Sequence, residues 1–418
     1  MIGKQLLIFG FFVLVIEYYS FIAIRNVLRQ ANSSLQGWVL LVYMILSLAI
    51  LWSLYAFPHY GRSTWPSASL KYLVNILVVL FIGKLLVGVI MLAVDILMII
   101  PNLASFLFSF KNHPLGVPPE GSRFISRFTF ISQTALLIGG VLSAGLVYGI
   151  SNRYRYQLIR MKVSLKNLPD EFKGLRIVQI SDIHCGSLDD PAAVAKGVES
   201  IMKEKPDLII FTGDLVNERA QEVVPFLNIF NQLKAPMGVY SVLGNHDYGD
   251  YVSWPSEKVK SENLETLKQY HADMGWRLLL NEHVLLKRNN RQIALIGIEN
   301  WGAGRFAKYG NTKKAVAGLE GADIPLKILL SHDPSHWEAE VRKDYQDINL
   351  TFSGHTHGMQ FGIEIPGFKW SPVQYIYKQW AGLYQEENQY LYVNRGYGFI
   401  GYQGRLGVLP EITLVELT

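Results

Sequence analysis

Two histidines, His355 and His357, lie one residue apart in TFSGHTHGMQFG, directly after an apolar run typical of a β-strand. Neutral imidazole nitrogens are common ligands of divalent metals, so the pair indicates either a metal site or a polar turn that ends a strand. The choice between them depends on whether other metal-binding side chains occupy similar positions along the chain.

Four further apolar runs end in residues of metal-binding types. They are Asp182 and His184 after IVQIS, Asp214 after IIFTG, Asn245, His246 and Asp247 after YSVLG, and His332 after KILLS. Each signal alone is weak, because a GD or SHD sequence usually marks a turn. Ligands bind beyond the carboxyl ends of strands in open α/β sheets, so five such strand ends are expected to form one site.

This set of residue types suits a pair of divalent ions. Two ions roughly 3.5–4 Å apart can activate water and stabilise an in-line displacement at phosphorus. Such a pair needs a shared carboxylate and further ligands for each ion. Mixed His, Asp and Asn ligands accept Mn, Fe or Zn, so the sequence predicts two divalent ions without identifying them.

The series SDIH, FTGD, LGNHD, LLSHDP and SGHTHG resembles the calcineurin-like metallophosphoesterases, over about residues 172–418. The resemblance implies a β-sandwich flanked by helices, in four layers α-β-β-α. It implies one ion held by Asp182, His184, Asp214 and His357, and a second held by Asp214, Asn245, His332 and His355.

The same resemblance gives His246 and Asp247 a catalytic role without placing them among the ligands. His246 would be the general acid for the leaving oxygen, oriented by Asp247. The alternative for His246 is a residue that only holds a phosphate oxygen.

The C-terminal segment LYVNRGYGFIGYQGRLGVLPEITLVEL resembles a membrane-anchored branch of this family. That branch includes enzymes that hydrolyse UDP-2,3-diacylglucosamine in lipid A synthesis, and bacterial enzymes of unsettled substrate. Arg395 and Arg405 are candidate contacts for the substrate phosphate, with structural salt bridges as an equal alternative. Met359 departs from the GHTHGQ continuation of many relatives, at a position that is not a ligand.

The elements that must position these residues alternate between apolar strands and amphipathic helices after residue 161. This alternation predicts an α/β domain with a buried sheet, and helices over 191–205, 218–233 and 261–275. The remaining histidines of this region and the single cysteine lie outside the strand-end pattern, so we expect structural or surface roles for His271, His283, His336 and Cys185.

The first 150 residues contain four apolar runs, at about 5–24, 35–57, 72–100 and 130–150. Each is near the roughly 20 residues that a membrane-spanning helix requires. The sequence therefore predicts an all-α four-span transmembrane domain over 1–152, a linker over 153–171 and a metallophosphoesterase domain over 172–418.

Basic residues flanking the spans predict the orientation of this integral, multi-pass protein. The side shared with the C-terminal domain carries Lys4, Arg62, Lys71, Arg153, Arg155, Arg160, Lys162 and Lys166. The opposite side carries Arg25, Arg29, Lys111, Arg123 and Arg127. The bias favours a cytoplasmic catalytic domain at the inner, cytoplasmic membrane.

Three ionisable residues, Glu17, Lys84 and Asp95, lie within predicted spans. Charges at this depth usually point into the bundle. They could line a polar path for a lipid head group or an ion, or form an interhelical ion pair that fixes packing, with Glu17 and Lys84 as possible partners.

Aromatic loops near the predicted site, together with Lys369 and Lys378, favour a lipid-linked phosphate or pyrophosphate at the bilayer surface. The alternative is that these aromatics pack on the edge of the sandwich. The net charge of +5 gives no reason to expect a nucleic acid partner.

The sequence thus predicts a membrane-bound dinuclear phosphoesterase acting on a substrate such as UDP-2,3-diacylglucosamine, the named candidate resting on the resemblance. One alternative is a tethered enzyme for a soluble or cell-wall substrate. Another is a transporter or sensor bundle with a regulatory phosphoesterase domain.

Overall fold

The computed structural model describes residues 2–59, 68–108, 127–319, 321 and 323–418. Some of the basic residues that predict the orientation lie outside the described residues, namely Arg62, Lys111 and Arg123. The side chains of Lys4, Lys71 and Arg127 are also outside the description. The chain divides into two compact units, Met1–Val147 and Tyr148–Thr418. We call them the N-terminal and C-terminal units.

Long helices account for the described part of the N-terminal unit. They are α1 (Ile2–Leu28), α2 (Ser33–His59), α3 (Ala68–Phe108) and α4 (Arg127–Ser151), the last of which continues into the C-terminal unit. Each contains a segment of at least 21 residues that is long and apolar enough to cross a membrane. The predicted four-span region is therefore confirmed, including the overlong third helix of 41 residues.

Glu17 and Lys84 form an ion pair inside this bundle. The Lys84 Nζ lies 2.8 and 2.7 Å from the two carboxylate oxygens of Glu17 and 2.7 Å from Ser47 Oγ, while the Tyr43 hydroxyl donates to Glu17 at 2.7 Å. A charge in an apolar bundle is costly unless it is paired and hydrogen-bonded. The contacts, which join α1, α2 and α3, favour the packing alternative over a polar path.

Strands and short helices build the C-terminal unit. The strands are β1 (Gln157–Val163), β2 (Arg176–Ile180), β3 (Leu208–Phe211), β4 (Val239–Ser241), β5 (Arg277–Leu278), β6 (Glu282–Arg288), β7 (Arg291–Gly297), β8 (Lys327–Leu330), β9 (Leu350–Ser353), β10 (Ile363–Ile365), β11 (Phe368–Trp370), β12 (Gly382–Glu386), β13 (Gln389–Val393) and β14 (Glu411–Leu417). The helices are α5 (Pro191–Lys203), α6 (Leu227–Phe230), α7 (Glu257–Asp273), α8 (Thr312–Val316) and α9 (Arg342–Asp344).

The strands form two six-stranded sheets and one separate hairpin. The first sheet has the order β1-β14-β2-β3-β4-β5, the second has the order β12-β13-β9-β8-β7-β6, and β10 pairs with β11. Strands β2, β3 and β4 are parallel, as are β7, β8 and β9. Parallel pairing brings the carboxyl ends of neighbouring strands to the same edge of each sheet.

The two sheets pack face to face because their strands are apolar on both faces. Ile177 and Leu208 of the first sheet belong to one buried cluster with Ile328 and Phe352 of the second. The alternate residues of the first sheet face α5 and α7, and those of the second face α8. The predicted four-layer α-β-β-α sandwich is confirmed.

Two local expectations were wrong. The segment predicted as a linker contains β1, which pairs in parallel with β14 over all seven residues from Gln157 to Val163. The helix predicted over 218–233 is a 3₁₀ segment, Ala220–Phe226, followed by the four residues of α6. Pro225 lies inside it and cannot donate a backbone hydrogen bond, which disfavours a continuous α-helix.

Candidate metal centre

The strand ends deliver the predicted ligands to one region. Asp182 follows β2, Asp214 follows β3, Asn245 follows β4, His332 follows β8 and His355 follows β9, each within four residues of the strand's last residue. The first three strands belong to one sheet and the last two to the other. The site therefore lies where the carboxyl ends of both sheets meet.

Five of the predicted ligands have left-handed backbone conformations. Asp182, His184, Asp214, His355 and His357 have φ angles of +51°, +51°, +62°, +71° and +50°. Residues other than glycine rarely adopt such angles, and the strain concentrates at functional sites. The chain thus turns sharply at several of these strand ends, directing the side chains inward.

Two groups of ligand atoms converge in this region. Asp182, His184 and His357, which we call the first cluster, each offer an atom within 4.8 Å of the other two. The Nε2 atoms of His184 and His357 are 3.1 Å apart, and His357 Nε2 lies 3.2 Å from Asp182 Oδ1.

The second cluster consists of Asp214, His332 and His355, again within 4.8 Å. His332 Nε2 lies 3.2 Å from Asp214 Oδ2, 3.1 Å from His355 Nδ1 and 3.2 Å from the Asn245 side-chain oxygen. Asp214 Oδ2 is also 3.6 Å from His184 Nε2. Asp214, a member of the second cluster, therefore also reaches a histidine of the first cluster.

The donor set fits a bound cation. His332 Nδ1 donates to the carbonyl oxygen of Thr212 at 2.7 Å, so in the neutral ring the hydrogen is on Nδ1. The lone pair of Nε2 then faces the carboxylate oxygen of Asp214 and the ring nitrogen of His355. These side chains are almost completely buried, and lone pairs that face each other without a shared proton or cation repel. Although burial opposes it, the negative charge of Asp214 raises the pKa of His332 to about 10, so this position favours a positive charge.

The charges of the carboxylates support the same interpretation. Although burial acts against it, the neighbouring imidazoles hold the pKa values of Asp182 and Asp214 below their usual range. Burial lowers the pKa of His184, keeping its ring neutral. Ionised carboxylates and neutral imidazoles are the forms that bind divalent metals.

Backbone and tyrosine hydroxyl groups hold the predicted ligands in place. The backbone N–H of His355 donates to both Asp182 oxygens at 3.0 Å. The Asn245 side-chain nitrogen donates to the Tyr251 hydroxyl at 3.0 Å, which turns the amide oxygen toward the second cluster. The Tyr377 hydroxyl lies 2.8 Å from His355 Nε2, the ring nitrogen that faces away from His332.

These tyrosine contacts were not predicted from the sequence. Tyr251 and Tyr377 lie in aromatic loops, for which the sequence indicated only a possible lipid surface. A hydroxyl partner reached through folding leaves no local signal in the sequence. Outer contacts of this kind fix the ring orientation of metal ligands and tune their basicity.

His246 lies beside the first cluster. Its Nδ1 donates to the carbonyl oxygen of Asn217 at 2.8 Å and lies 3.5 Å from Glu218 Oε1, and its ring centroid is 5.0 Å from that of His184. Burial opposes ionisation, but the negative charges of Asp214 and Glu218 raise the pKa of His246. With Nδ1 engaged, Nε2 is the atom of this ring that can exchange a proton.

The orienting role of Asp247 toward His246 stays a prediction, and no described hydrogen bond joins the two side chains. The Asp247 carboxylate accepts four backbone N–H groups, from Asp214 at 2.9 Å, Leu215 at 2.8 Å, Val216 at 3.2 Å and Gly244 at 2.8 Å. It therefore holds the loop that presents Asp214. Burial, reinforced by Asp214, raises the pKa of Asp247 to about 7.

The contacts of the two candidate phosphate-binding arginines favour the structural alternative. Arg395 is 4% exposed and pairs with Glu364 and Glu411. Arg405 is fully buried, donates to the carbonyl oxygen of Arg395 at 2.7 Å and also contacts His357 Nδ1 at 3.2 Å.

Cys185, His271, His283 and His336 lie outside both clusters. His271 contacts Ser241 Oγ at 3.0 Å, His283 contacts the carbonyl oxygen of Ala315 at 2.7 Å, and His336 contacts Ser331 and Thr312. Cys185 is buried. The contacts agree with the expected structural roles.

Two family models match the chain. Residues 175–359 match "Calcineurin-like phosphoesterase", and residues 4–153 match "Probable Calcineurin-like phosphoesterase, transmembrane domain". Calcineurin-like phosphoesterases use a dinuclear metal centre, and the two Asp/His clusters could bind its ions.

Three relatives illustrate the range of similar proteins. The chain is 30% identical to a transmembrane protein with metallophosphoesterase domain from Danio rerio, over 68% of this chain and 62% of that protein. It is 30% identical to the uncharacterized metallophosphoesterase YkuE from Bacillus subtilis, over 67% of this chain and 93% of that protein. It is also 30% identical to the UDP-2,3-diacylglucosamine pyrophosphatase LpxG from Chlamydia trachomatis, over 69% of this chain and 98% of that protein.

The chain spans about three fifths of the Danio rerio relative and nearly all of the two bacterial ones. The matched region includes the strand ends that carry both clusters. Together with its four apolar helices, these similarities show that the chain belongs to the calcineurin-like metallophosphoesterases, as a membrane-associated member.

Proposed function

We propose that the chain hydrolyses a phosphoester or pyrophosphate bond of a lipid-linked substrate, with UDP-2,3-diacylglucosamine as the leading candidate. The observation that carries the hydrolytic part is the position of Asp214 Oδ2 between His184 and His332. The lipid part is supported by the membrane helices and by the similarity to LpxG over nearly that enzyme's whole length.

In this proposal Asp214 is the shared ligand of two divalent ions. The first cluster would hold one ion, and the second cluster with Asn245 would hold the other. Two such ions would supply an activated water and would neutralise charge on the phosphoryl oxygens. Mn, Fe and Zn all suit the donor set.

His246 would protonate the leaving oxygen through Nε2. Its Nδ1 is engaged by the Asn217 carbonyl oxygen, and Glu218 lies close enough to stabilise the protonated ring. A positioned imidazole of this kind contributes about 10²–10⁴-fold to a rate. His246→Asn should therefore retain the metal content and lower kcat.

The proposed location is the inner, cytoplasmic membrane, with a transmembrane domain over 1–152 and a metallophosphoesterase domain that begins with β1 and faces the cytoplasm. The basic residues flanking the predicted spans support this orientation. A cysteine introduced at the exposed Lys258 can test it. A membrane-impermeant maleimide should leave this cysteine unlabelled in intact cells, and labelling there would invert the orientation.

The central experiment uses the purified full chain in lipid nanodiscs, with Mn, Zn and Mg compared. We expect UMP release from UDP-2,3-diacylglucosamine that depends on the metal and is lost in Asp214→Asn. Asp170→Asn is the matched control, because the Asp170 side chain is 88% exposed.

Each outcome has a separate meaning. Cleavage of bis-p-nitrophenyl phosphate without cleavage of the lipid substrate would refute the lipid assignment and leave a tethered enzyme for soluble substrates. Full activity in Asp214→Asn would refute the assignment of the shared ligand.

A further inference from the structure

The β10–β11 hairpin has an unusual distribution of polar and apolar side chains. It is a separate two-stranded sheet in which Ile363 pairs with Trp370, Glu364 with Lys369 and Ile365 with Phe368. Successive residues of a strand point to opposite faces. The apolar residues therefore share one face of the hairpin, and Glu364 and Lys369 share the other.

The charged face is directed toward the rest of the C-terminal unit. Glu364 forms an ion pair with Arg395, and Lys369 donates to the carbonyl oxygen of Ala381 and to the Tyr384 hydroxyl. The apolar face points away from the protein. Ile363, Ile365 and Phe368 are 50%, 59% and 53% exposed.

The adjoining 3₁₀ segment, Pro372–Tyr375, and the residue after it extend this apolar face. Tyr375 and Ile376 are 77% and 70% exposed. Among the described residues of the C-terminal unit, large apolar side chains are exposed at twelve positions, and six of them fall within residues 359–376. Single exposed apolar residues are ordinary, but a concentrated patch marks an interaction surface.

This distribution of side chains is unfavourable for a hairpin exposed to water. An isolated two-stranded hairpin is at best marginally stable in water, and its outer face is expected to be polar. Here the polar face contacts the protein through Glu364 and Lys369, and the apolar face is left without a partner in the described structure. An apolar medium is the environment that would stabilise it.

We infer that the outer face of the β10–β11 hairpin and the 372–376 segment lies in the lipid bilayer interface. We call this surface the membrane-facing patch. The chain carries four membrane-spanning helices, so a bilayer is always available to the C-terminal unit.

The residues around the patch suit that partner. Trp370 and Tyr375 combine apolar rings with polar groups, as side chains at membrane interfaces do. Lys378 lines a shallow groove beside the patch together with Tyr375 and Ile376. Its side chain is 72% exposed, and its Nζ lies 3.9 Å from Glu338 Oε1. Basic side chains beside an inserted apolar surface attract anionic lipid head groups.

The inference is independent of which phosphoester is cleaved, and its test needs no turnover. The chain has one cysteine, Cys185, which is 2% exposed, so an introduced cysteine can carry a nitroxide label selectively. Full-length chains with Phe368→Cys, Ile365→Cys and Ile376→Cys are labelled in nanodiscs containing anionic lipid, and the unsubstituted chain serves as the labelling blank.

Val224→Cys and Leu285→Cys are the matched controls, because these apolar side chains are 50% and 39% exposed but lie outside the patch. Electron paramagnetic resonance then compares the access of oxygen, which concentrates in lipid, with that of a water-soluble nickel chelate. We expect oxygen access to exceed nickel access at 365, 368 and 376, and the reverse at 224 and 285.

The inference would be overturned if the nickel chelate reached the three patch positions as readily as the control positions, because the membrane-facing patch would then lie in water. Protection from both reagents would also overturn it, since the face would then be covered by protein, such as a second copy of the chain. Three patch positions are used so that one misfolded variant does not decide the result.

Discussion

Replacing Asp247 with Asn tests the role that the structure gives this carboxylate. Each Asp247 oxygen accepts two backbone N–H groups from the loops that carry Asp214 and Asn245. The amide of Asn keeps one oxygen and presents N–H₂ in place of the other. Two buried backbone N–H groups would then face a donor instead of an acceptor.

The expected loss follows from that count. Each buried donor left without an acceptor costs about 1–3 kcal/mol, so Asp247→Asn should lower the free energy of unfolding by about 2–6 kcal/mol. For a unit of this size, each kcal/mol shifts Tm by about 2–4 °C, which gives a decrease of roughly 4–24 °C.

The assay is thermal unfolding of the full chain in detergent with a chelator present, so that metal loss cannot account for the change. The unfolding transition of the C-terminal unit is identified first in a separate sample without chelator, as the transition that moves to higher temperature when Mn²⁺ is added. The decisive comparison repeats Asp247→Asn in a His246→Asn background.

The Asp247 carboxylate and the His246 ring have different hydrogen-bond partners, so most of the loss should persist when His246 is replaced. The reasoning is refuted if Asp247→Asn lowers Tm by less than about 2 °C. It is also refuted if the loss disappears once His246 is replaced, because Asp247 would then act through that ring.

Three further predictions address other contacts. Tyr377→Phe should weaken Mn²⁺ activation about 10-fold by releasing a ligand ring of the second cluster, whereas Tyr375→Phe should not; equal effects would exclude this role. Glu17→Gln or Lys84→Met alone should lower Tm more than both together, because one substitution leaves a buried charge unpaired; an additive loss would contradict this. Burial lowers the pKa of His271 from 6.5 to about 3, so this ring binds a proton more tightly in the unfolded chain than in the folded one. The free energy of unfolding should therefore fall by up to about 1.4 kcal/mol per pH unit as the pH drops below 6.5. The decrease in Tm between pH 7.5 and pH 5 should be smaller in His271→Gln, and an unchanged decrease would assign the acid sensitivity elsewhere.

The sequence alone predicted features that depend on local patterns. Four apolar runs predicted four long helices, because the length required to cross a bilayer can be read from consecutive residues. Metal-binding residue types after apolar strands predicted that these side chains would converge, because parallel strands bring their carboxyl ends together.

The sequence did not predict contacts between residues that are distant along the chain. Nothing near Asp247 indicates that its oxygens accept the N–H groups of residues 214–216, and nothing near Arg395 identifies Glu364 and Glu411 as its partners. The pairing of β1 with β14 joins opposite ends of the C-terminal unit, which made β1 resemble a linker in the sequence.

The β10–β11 hairpin shows the same division. Its sequence, IEIPGFKW, has the alternation of an ordinary strand pair around a Pro-Gly turn, and that alternation fixes which residues share a face. Only the tertiary structure decides which face points outward. It places Glu364 against Arg395, which leaves Ile365 and Phe368 on the exposed face. This choice depends on an ion pair with a residue thirty-one positions away in the chain, which local sequence does not reveal.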